Sequence, residues 1–560
     1  MRARHLLLAV AAGLALADAS IVTLALPELL NELRTTVEGV ASILGVYTVV
    51  LAVALVPAEL VQRRVGAPRT AAAGLALFAL ASALAGASSS LSALLVARGA
   101  QAIGGAAALV SVFALLEPSG AAGERGRRLW LGAAVLAAAV GPALGGALTE
   151  AFSWRAIFYV QAPVAAAAAV AAWFEPRPTR RRSPEPRPEV DAEAERVSAG
   201  PAIALALLSA ALTAVLFLLV LLLVAGWDVA PLRAAATVTV IPAGALLGAR
   251  VRGDARVRAC AGCALVGAGV LAFASLPDAR LPWTFVPQAA AGLGMGLALP
   301  ALGGELLPER DPRDASRLLV LRHVGIALAL ILLAPIVSAA LDSATARARE
   351  RGVSVVLDAK LPPTEKLRLA PDLLAGVESE QPRHGLHQAL TAGRASIRPK
   401  DQTAYDKLAR GTDDTLVLAV GEAFRTAFLV TGAMALVAAL AVLPRRRAGG
   451  GRRWPAGVAA AAAVAVVLPL GYLALHAAVA PEPVALRDPC RHRNLPGTGG
   501  LEGFLQDRAL EVLDTTACKA GSTREELVLA LADDADRRRF QREHGVDPRS
   551  LSAVLQALIS

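Results

Sequence analysis

Asp18 and Arg98 are the residues whose type and position first suggest chemistry. Each stands inside an apolar run, Asp18 in "GLALADASIVTLALPELL" and Arg98 in "LLVARGAQAIGGAAA". A charge at the centre of a bilayer costs about 2.5–3.5 kcal/mol on insertion scales, so both need a reason to be there. Paired in a protein interior, each offsets the desolvation of the other. A carboxylate held away from water also has its protonated form favoured, which is the property reversible proton binding requires. The bland alternative is a static structural ion pair. No enzyme constellation accompanies them. The sequence has no Walker A motif, no metal-ligand cluster and no recognisable Ser/His/Asp spacing, so neither an enzyme nor a cofactor nor a metal is expected.

The elements that position these residues follow from composition. Of 560 residues, 55% are hydrophobic and 18% charged, and the mean hydropathy is +0.54. A soluble chain of this length has no core large enough for that apolar share, so the fold class is an all-α integral membrane protein. Aromatics are only 4%; small side chains let many spans pack closely. Runs long enough to cross about 30 Å of hydrocarbon fall at 6–30, 40–61, 70–88, 90–116, 129–150 and 154–174. After a Pro- and Arg-rich linker, six more lie at 202–226, 230–249, 258–276, 282–306, 318–341 and 417–443, and a thirteenth at 455–479. The expected layout is an N-terminal six-helix bundle (1–174), a cytoplasmic linker (175–200) and a C-terminal bundle (201–342 with 417–444). An insert at 343–416, the extra helix at 455–479 and a tail at 480–560 complete it.

The formal charge of +10 is mostly arginine, and its placement argues against nucleic acid. Arg63, Arg64 and Arg69, then Arg125, Arg127 and Arg128, Arg180 to Arg182, Arg250, Arg252 and Arg256, Arg310 and Arg313, and Arg445 to Arg447 all follow even-numbered runs. Excess Lys and Arg marks cytoplasmic loops. The N-terminus is therefore expected inside, and the insert and tail extracytoplasmic. Cys490 and Cys518 then lie in an oxidising compartment and are expected to form a disulfide, whereas the Cys260/Cys263 pair in an apolar run reads as packing. In the tail, Ser522 and Glu525 fit a capping box ahead of one helix over "LVLALADDADRRRF", and Asp547-Pro548 looks like a second helix start. An Ala-x-Ala signal-cleavage reading at Ala15–Ala17 is disfavoured, because the apolar run continues past it.

"LADASIVTLALPEL" resembles the helix-1 signature of the drug:proton antiporter branches of the major facilitator superfamily, at Asp18, Ser20, Ile21, Val22, Ala25, Leu26 and Pro27. "ARGAQAIGGAAA" is similar to the family's Arg-x-x-Gln-Gly motif, with Arg98 and Gln101 in place and Ala102 for the glycine. "VGPALGG" matches the antiporter motif at Gly141, Pro142, Gly145 and Gly146, and "SWRAIFYVQAP" resembles the entry to helix 6 with Gln161 for an asparagine. The resemblance implies two six-helix bundles, a proton and substrate pathway at Asp18, Arg98 and Gln101, and an antiport-setting helix at the glycine motif. Proline there removes a backbone donor, and glycines open a surface on which a neighbour can slide.

The loop between the second and third runs departs from the family. It keeps Arg64 and Gly66 but has Glu59 for the first glycine and Arg63 for the aspartate that makes the gating charge contacts. In the second half, Arg322, His323 and Glu305 read as snorkelling groups near helix ends, and Glu422 as the i,i+3 partner of Arg425. The expected function is export of a hydrophobic or amphipathic small molecule in exchange for protons by alternating access. The partners are that molecule, protons and membrane lipid, at a plasma membrane. Two other readings stand beside it: a non-transporting scaffold or receptor that presents the insert and tail to an extracytoplasmic protein partner, and an uncoupled facilitator.

Overall fold

The computed structural model describes residues 3–116, 141–175, 199–307, 312–377, 382–443, 456–491 and 493–550, and every regular element among them is helical. Most of the 175–200 linker, the start of the fifth run, and Arg125, Arg127, Arg128, Arg180 to Arg182, Arg310 and Arg445 to Arg447 lie outside the described residues. Eleven helices among the described residues are long and apolar enough to cross a membrane.

The chain opens with α1 (Ala3–Thr23) and α2 (Leu26–Glu32). The single run read at 6–30 is thus two helices, with Pro27 in the first turn of α2, where a missing backbone donor does least harm. Then come α3 (Val37–Val65), α4 (Ala67–Gly86), α5 (Leu91–Leu116), α6 (141–151) and α7 (Trp154–Trp173). Thr36 starts α3 by accepting from the Gly39 amide at 3.2 Å. The second half holds α8 (Ala199–Leu221), α9 (Pro231–Val238), α10 (Val240–Gly248), α11 (Ala255–Phe273) and α12 (Pro282–Pro300). α8 and α12 each end in a π-helical turn.

The fold divides into two units. Unit 1 comprises Met1–Val224, Val229–Ser338 and Phe424–Ala478. Its two halves repeat one packing device. A Cβ on Gly104 would sit 2.6 Å from the Gly74 carbonyl oxygen, and one on Gly294 would sit 2.4 Å from that of Gly262. The backbones of α4 and α5, and of α11 and α12, therefore touch where only glycine fits. Cys260 and Cys263 are buried free thiols in α11.

Unit 2 comprises Ala225–Asp228, Ala339–Ala423 and Val479–Ser560, so the insert and the tail belong to one compact body. The helices α13 (Pro312–Asp358) and α16 (Gln402–Ala441) extend well into the insert, leaving α14 (Pro363–Val377) and α15 (Pro382–Arg394) between them. α17 (Ala456–Val479) precedes the tail helices α18 (Gly500–Ala520), α19 (Arg524–Ala532) and α20 (Asp534–His544). The helix expected over "LVLALADDADRRRF" is broken at Asp533, whose carboxylate caps α20 by accepting from Ala535 and Asp536 amides. The capping box falls one residue later than expected. Thr523 accepts from the Glu526 amide, and Ser522 donates to the Glu526 carboxylate at 2.7 Å. The Asp547 carboxylate instead accepts from the Arg549 amide, and residues beyond 550 lie outside the described set.

Cys490 and Cys518 form a disulfide with Cα atoms 5.0 Å apart. A buried ion cluster ties the tail to the end of α13. Arg524 binds Asp358 at 2.7 Å and Glu525 at 3.2 Å, and Arg493 binds Glu525 at 2.9 Å. An apolar groove of about 570 Å³ lies in this unit between Leu357, Leu367, Leu374, Val528 and Leu531.

Candidate functional site

In unit 1, Asp18 on α1 and Arg98 on α5 meet with 2.5 Å between Oδ2 and Nη1, both fully buried. A pair this deep is costly unless its remaining donors and acceptors are served; the neighbouring helices serve most of them, while Arg98 Nη2 has no hydrogen bond among the described residues. Arg98 donates to Gln101 Oε1 at 2.6 Å and to the Ile43 carbonyl of α3 at 3.3 Å. Gln101, one turn along α5, donates through Nε2 to Ser82 of α4 at 2.9 Å and Gln161 of α7 at 3.1 Å. Its approach to Asp18 is longer, 3.5 Å. Ser82 in turn donates to the Phe78 carbonyl at 2.7 Å. Five helices thus contribute to one network, in which the α5 side chains Arg98 and Gln101 reach the Asp18 carboxylate.

Tyr47 of α3 joins this network to open space. The Arg98 guanidinium lies over its ring at 4.3 Å from the centroid, the arrangement that favours a cation on an aromatic face. Its hydroxyl donates to the Ala15 carbonyl at 2.8 Å. Tyr47 also lines a cavity of about 90 Å³ between the halves of unit 1, with hydroxyls from Ser20, Thr48, Ser209 and Thr213 and apolar groups from Leu16, Met295 and Ile326. Tyr47, Ser82 and the acceptor role of Gln161 went unassigned in the sequence. The available signal was a lone polar or aromatic side chain in the middle of an apolar run.

The glycine motif lies where both halves approach α6. A Cβ on Gly145 would stand 2.2 Å from the Ile21 carbonyl oxygen of α1, and one on Gly146 2.4 Å from Ala235 of α9; Gly141 faces Ile21 and Ser20. Pro142 lines the cavity. At the 2–3 loop, Glu59 pairs with Arg63 across one helical turn, and Arg64 is exposed. Gly66 joins α3 to α4 at φ +99°, a backbone conformation that favours glycine.

Four polar groups of the second half are placed differently from expectation. Arg322 and His323 line the cavity rather than reaching for a headgroup region. The physical reason is helix length: α13 begins at Pro312, so Arg322 lies about 15 Å along it at 1.5 Å per residue. Glu305 pairs with Arg258. Glu422 pairs with Arg347 at 3.7 Å and Arg351 at 3.9 Å rather than with Arg425. In unit 2, Glu526, Glu543 and His544 bring ligand-type atoms together, but Glu543 is engaged with Arg539 and His544 with Glu526.

A multi-pass helical membrane protein with a polar cavity between its halves, and a buried ion pair behind the cavity wall, has the construction of a transporter rather than an enzyme. Residues 8–304 match the Major Facilitator Superfamily, and the chain belongs to that family. It is 34% identical over 173 residues to multidrug resistance protein Stp of Mycobacterium tuberculosis, covering 30% of this chain and 32% of that protein. It is 35% identical over 169 residues to the tetracenomycin C resistance and export protein of Streptomyces glaucescens, covering 30% and 31%. The chain spans about a third of the length of these curated relatives. Among solved structures, an inward-facing, unoccupied bacterial homolog of the human lysosomal transporter Spinster aligns with a TM-score of 0.53 at 14% identity, over 80% of this chain and 98% of that one. That likeness is one of fold.

Proposed function

We propose that this protein exports a hydrophobic or amphipathic small molecule in exchange for protons, by alternating access of the two halves of unit 1. The observation that carries the reading is the fully buried Asp18–Arg98 pair directly behind Tyr47 of the cavity wall. A proton on Asp18 would release Arg98 from its only carboxylate in this network and change what the wall presents to cargo. The names of the relatives, multidrug resistance and antibiotic export, support the direction of transport. The alternation of arginines supports a cytoplasmic N-terminus with unit 2 outside. Glu59 supports retained gating, since its carboxylate engages Arg63 where the family's aspartate is missing.

The test is reconstituted full-length protein in vesicles with an imposed pH gradient, assayed against a compound panel. Wild type should move at least one compound only while the gradient lasts, and Asp18→Asn should abolish that movement while the protein remains monodisperse. Gradient-driven export that persists in Asp18→Asn would falsify the coupling role. A scaffold role draws on one observation, the tail, with its internal disulfide, and the insert joined in a single compact body. It predicts no movement of any compound by wild type.

A further inference from the structure

The cavity of unit 1 holds a cation that the exporter mechanism leaves unused. Arg322 lines it, and among the described residues its guanidinium has no ion pair, hydrogen bond or ring contact. Among the described residues no Asp or Glu lines the cavity; its other polar groups are hydroxyls and His323, whose Nδ1 lies 2.7 Å from the Leu319 carbonyl. Asp18, the nearby acid of the buried network, is already bound to Arg98. A guanidinium carries five donors in a planar fork suited to carboxylate, sulfonate or phosphate. Kept from bulk water without a counter-charge, it costs stability unless something repays it.

We infer that the cargo is an amphipathic organic anion, whose acidic group binds Arg322 while its apolar body lies against the Leu16, Met295 and Ile326 side of the cavity. This rests on the exporter reading and adds the charge of the cargo to it. The hydroxyls of Ser209 and Thr213 offer the anion further donors. A cationic cargo would meet Arg322 as a like charge, with no acid among the described residues of the wall to offset it.

The test uses full-length protein in phosphatidylcholine nanodiscs and three probes on one skeleton: pyrenebutyrate, its neutral amide and the corresponding butylammonium. Pyrenebutyrate should bind best. Arg322→Gln should weaken it about tenfold to a hundredfold, the value of a charge-assisted hydrogen bond. Arg322→Lys should retain part of the affinity. The Arg322→Gln protein should melt no lower than wild type, because an unpartnered charge has been removed from the interior. Equal binding of the three probes, no binding of the anion, an unchanged affinity in Arg322→Gln, or a lower melting temperature in that variant each overturns the inference. Loss of pyrenebutyrate binding when phosphatidylglycerol is added assigns the site to a lipid headgroup and overturns the cargo assignment. In vesicles, gradient-driven export of the ammonium probe alone removes this inference and leaves the exporter reading. Arg322-dependent anion binding with no driven movement of any compound does the reverse.

Discussion

Removing the Asp18 charge and removing the Arg98 charge should each cost stability, and removing both should cost far less than the sum. Breaking a buried pair from one side typically costs about 3–5 kcal/mol, because a charge is left without compensation. For Asp18→Asn the lower end applies. Arg98 keeps Gln101 at 2.6 Å, the Ile43 carbonyl at 3.3 Å and the Tyr47 ring at 4.3 Å, so about 3 kcal/mol is expected. For Arg98→Met, Asp18 keeps only the long 3.5 Å approach of Gln101, and the cost at neutral pH should be at least as large. The double variant leaves no orphan charge, which gives a coupling of about 3 kcal/mol, at the upper end for residues in contact. Thermal unfolding of the four proteins, followed by size-exclusion chromatography in one detergent at pH 7, measures the cycle. Additive costs would refute a buried charge pair as the centre of this site.

Three further outcomes follow from other positions. Gly145→Ala, whose Cβ would stand 2.2 Å from the Ile21 carbonyl, should cost about 1–3 kcal/mol by overpacking and slow transport, whereas Gly45→Ala, with nothing within 4 Å, should do neither. Replacing Cys490 and Cys518 by Ala opens a link across 28 residues, worth about 3–4 kcal/mol in chain entropy, and limited proteolysis of the full chain should then cleave the tail faster. Burial pushes the Lys366 ammonium down from 10.5 to about 8. The folded state therefore disfavours the charged form, and the penalty is complete below pH 8 and fades as the pH rises towards 10.5. Lys366→Met should stabilise unit 2 at pH 7, with an advantage over wild type that shrinks between pH 8 and 10.5. An advantage constant with pH would mean that packing, not charge, sets the difference.

The parts legible in the sequence are those where one residue breaks a local rule. Asp18 and Arg98 interrupt apolar runs, and the glycine motif stands out by composition, so each could be singled out without a fold. What stayed hidden depends on residues distant in the chain. Arg524 and Asp358 are 166 positions apart, and periodicity gives no hint that tail and insert share one ion cluster. Arg322 was misjudged because hydropathy marks where a run becomes apolar, not where its helix begins. The break at Asp533 competes with an alternative the sequence also allows: the same carboxylate can sit mid-helix or cap the next one, and tertiary packing decides.

Tyr47 has a consequence for how occupancy at two places is related. One face of its ring carries the Arg98 cation, and the side chain also forms cavity wall, so a molecule pressing on the ring bears on the ion pair behind it. Thermodynamic reciprocity then applies. Under the proposed exchange, whatever factor a bound molecule imposes on proton affinity at Asp18, a proton imposes on the affinity for that molecule. Measuring cargo binding as a function of pH would thus read the coupling free energy at equilibrium, with no gradient and no turnover.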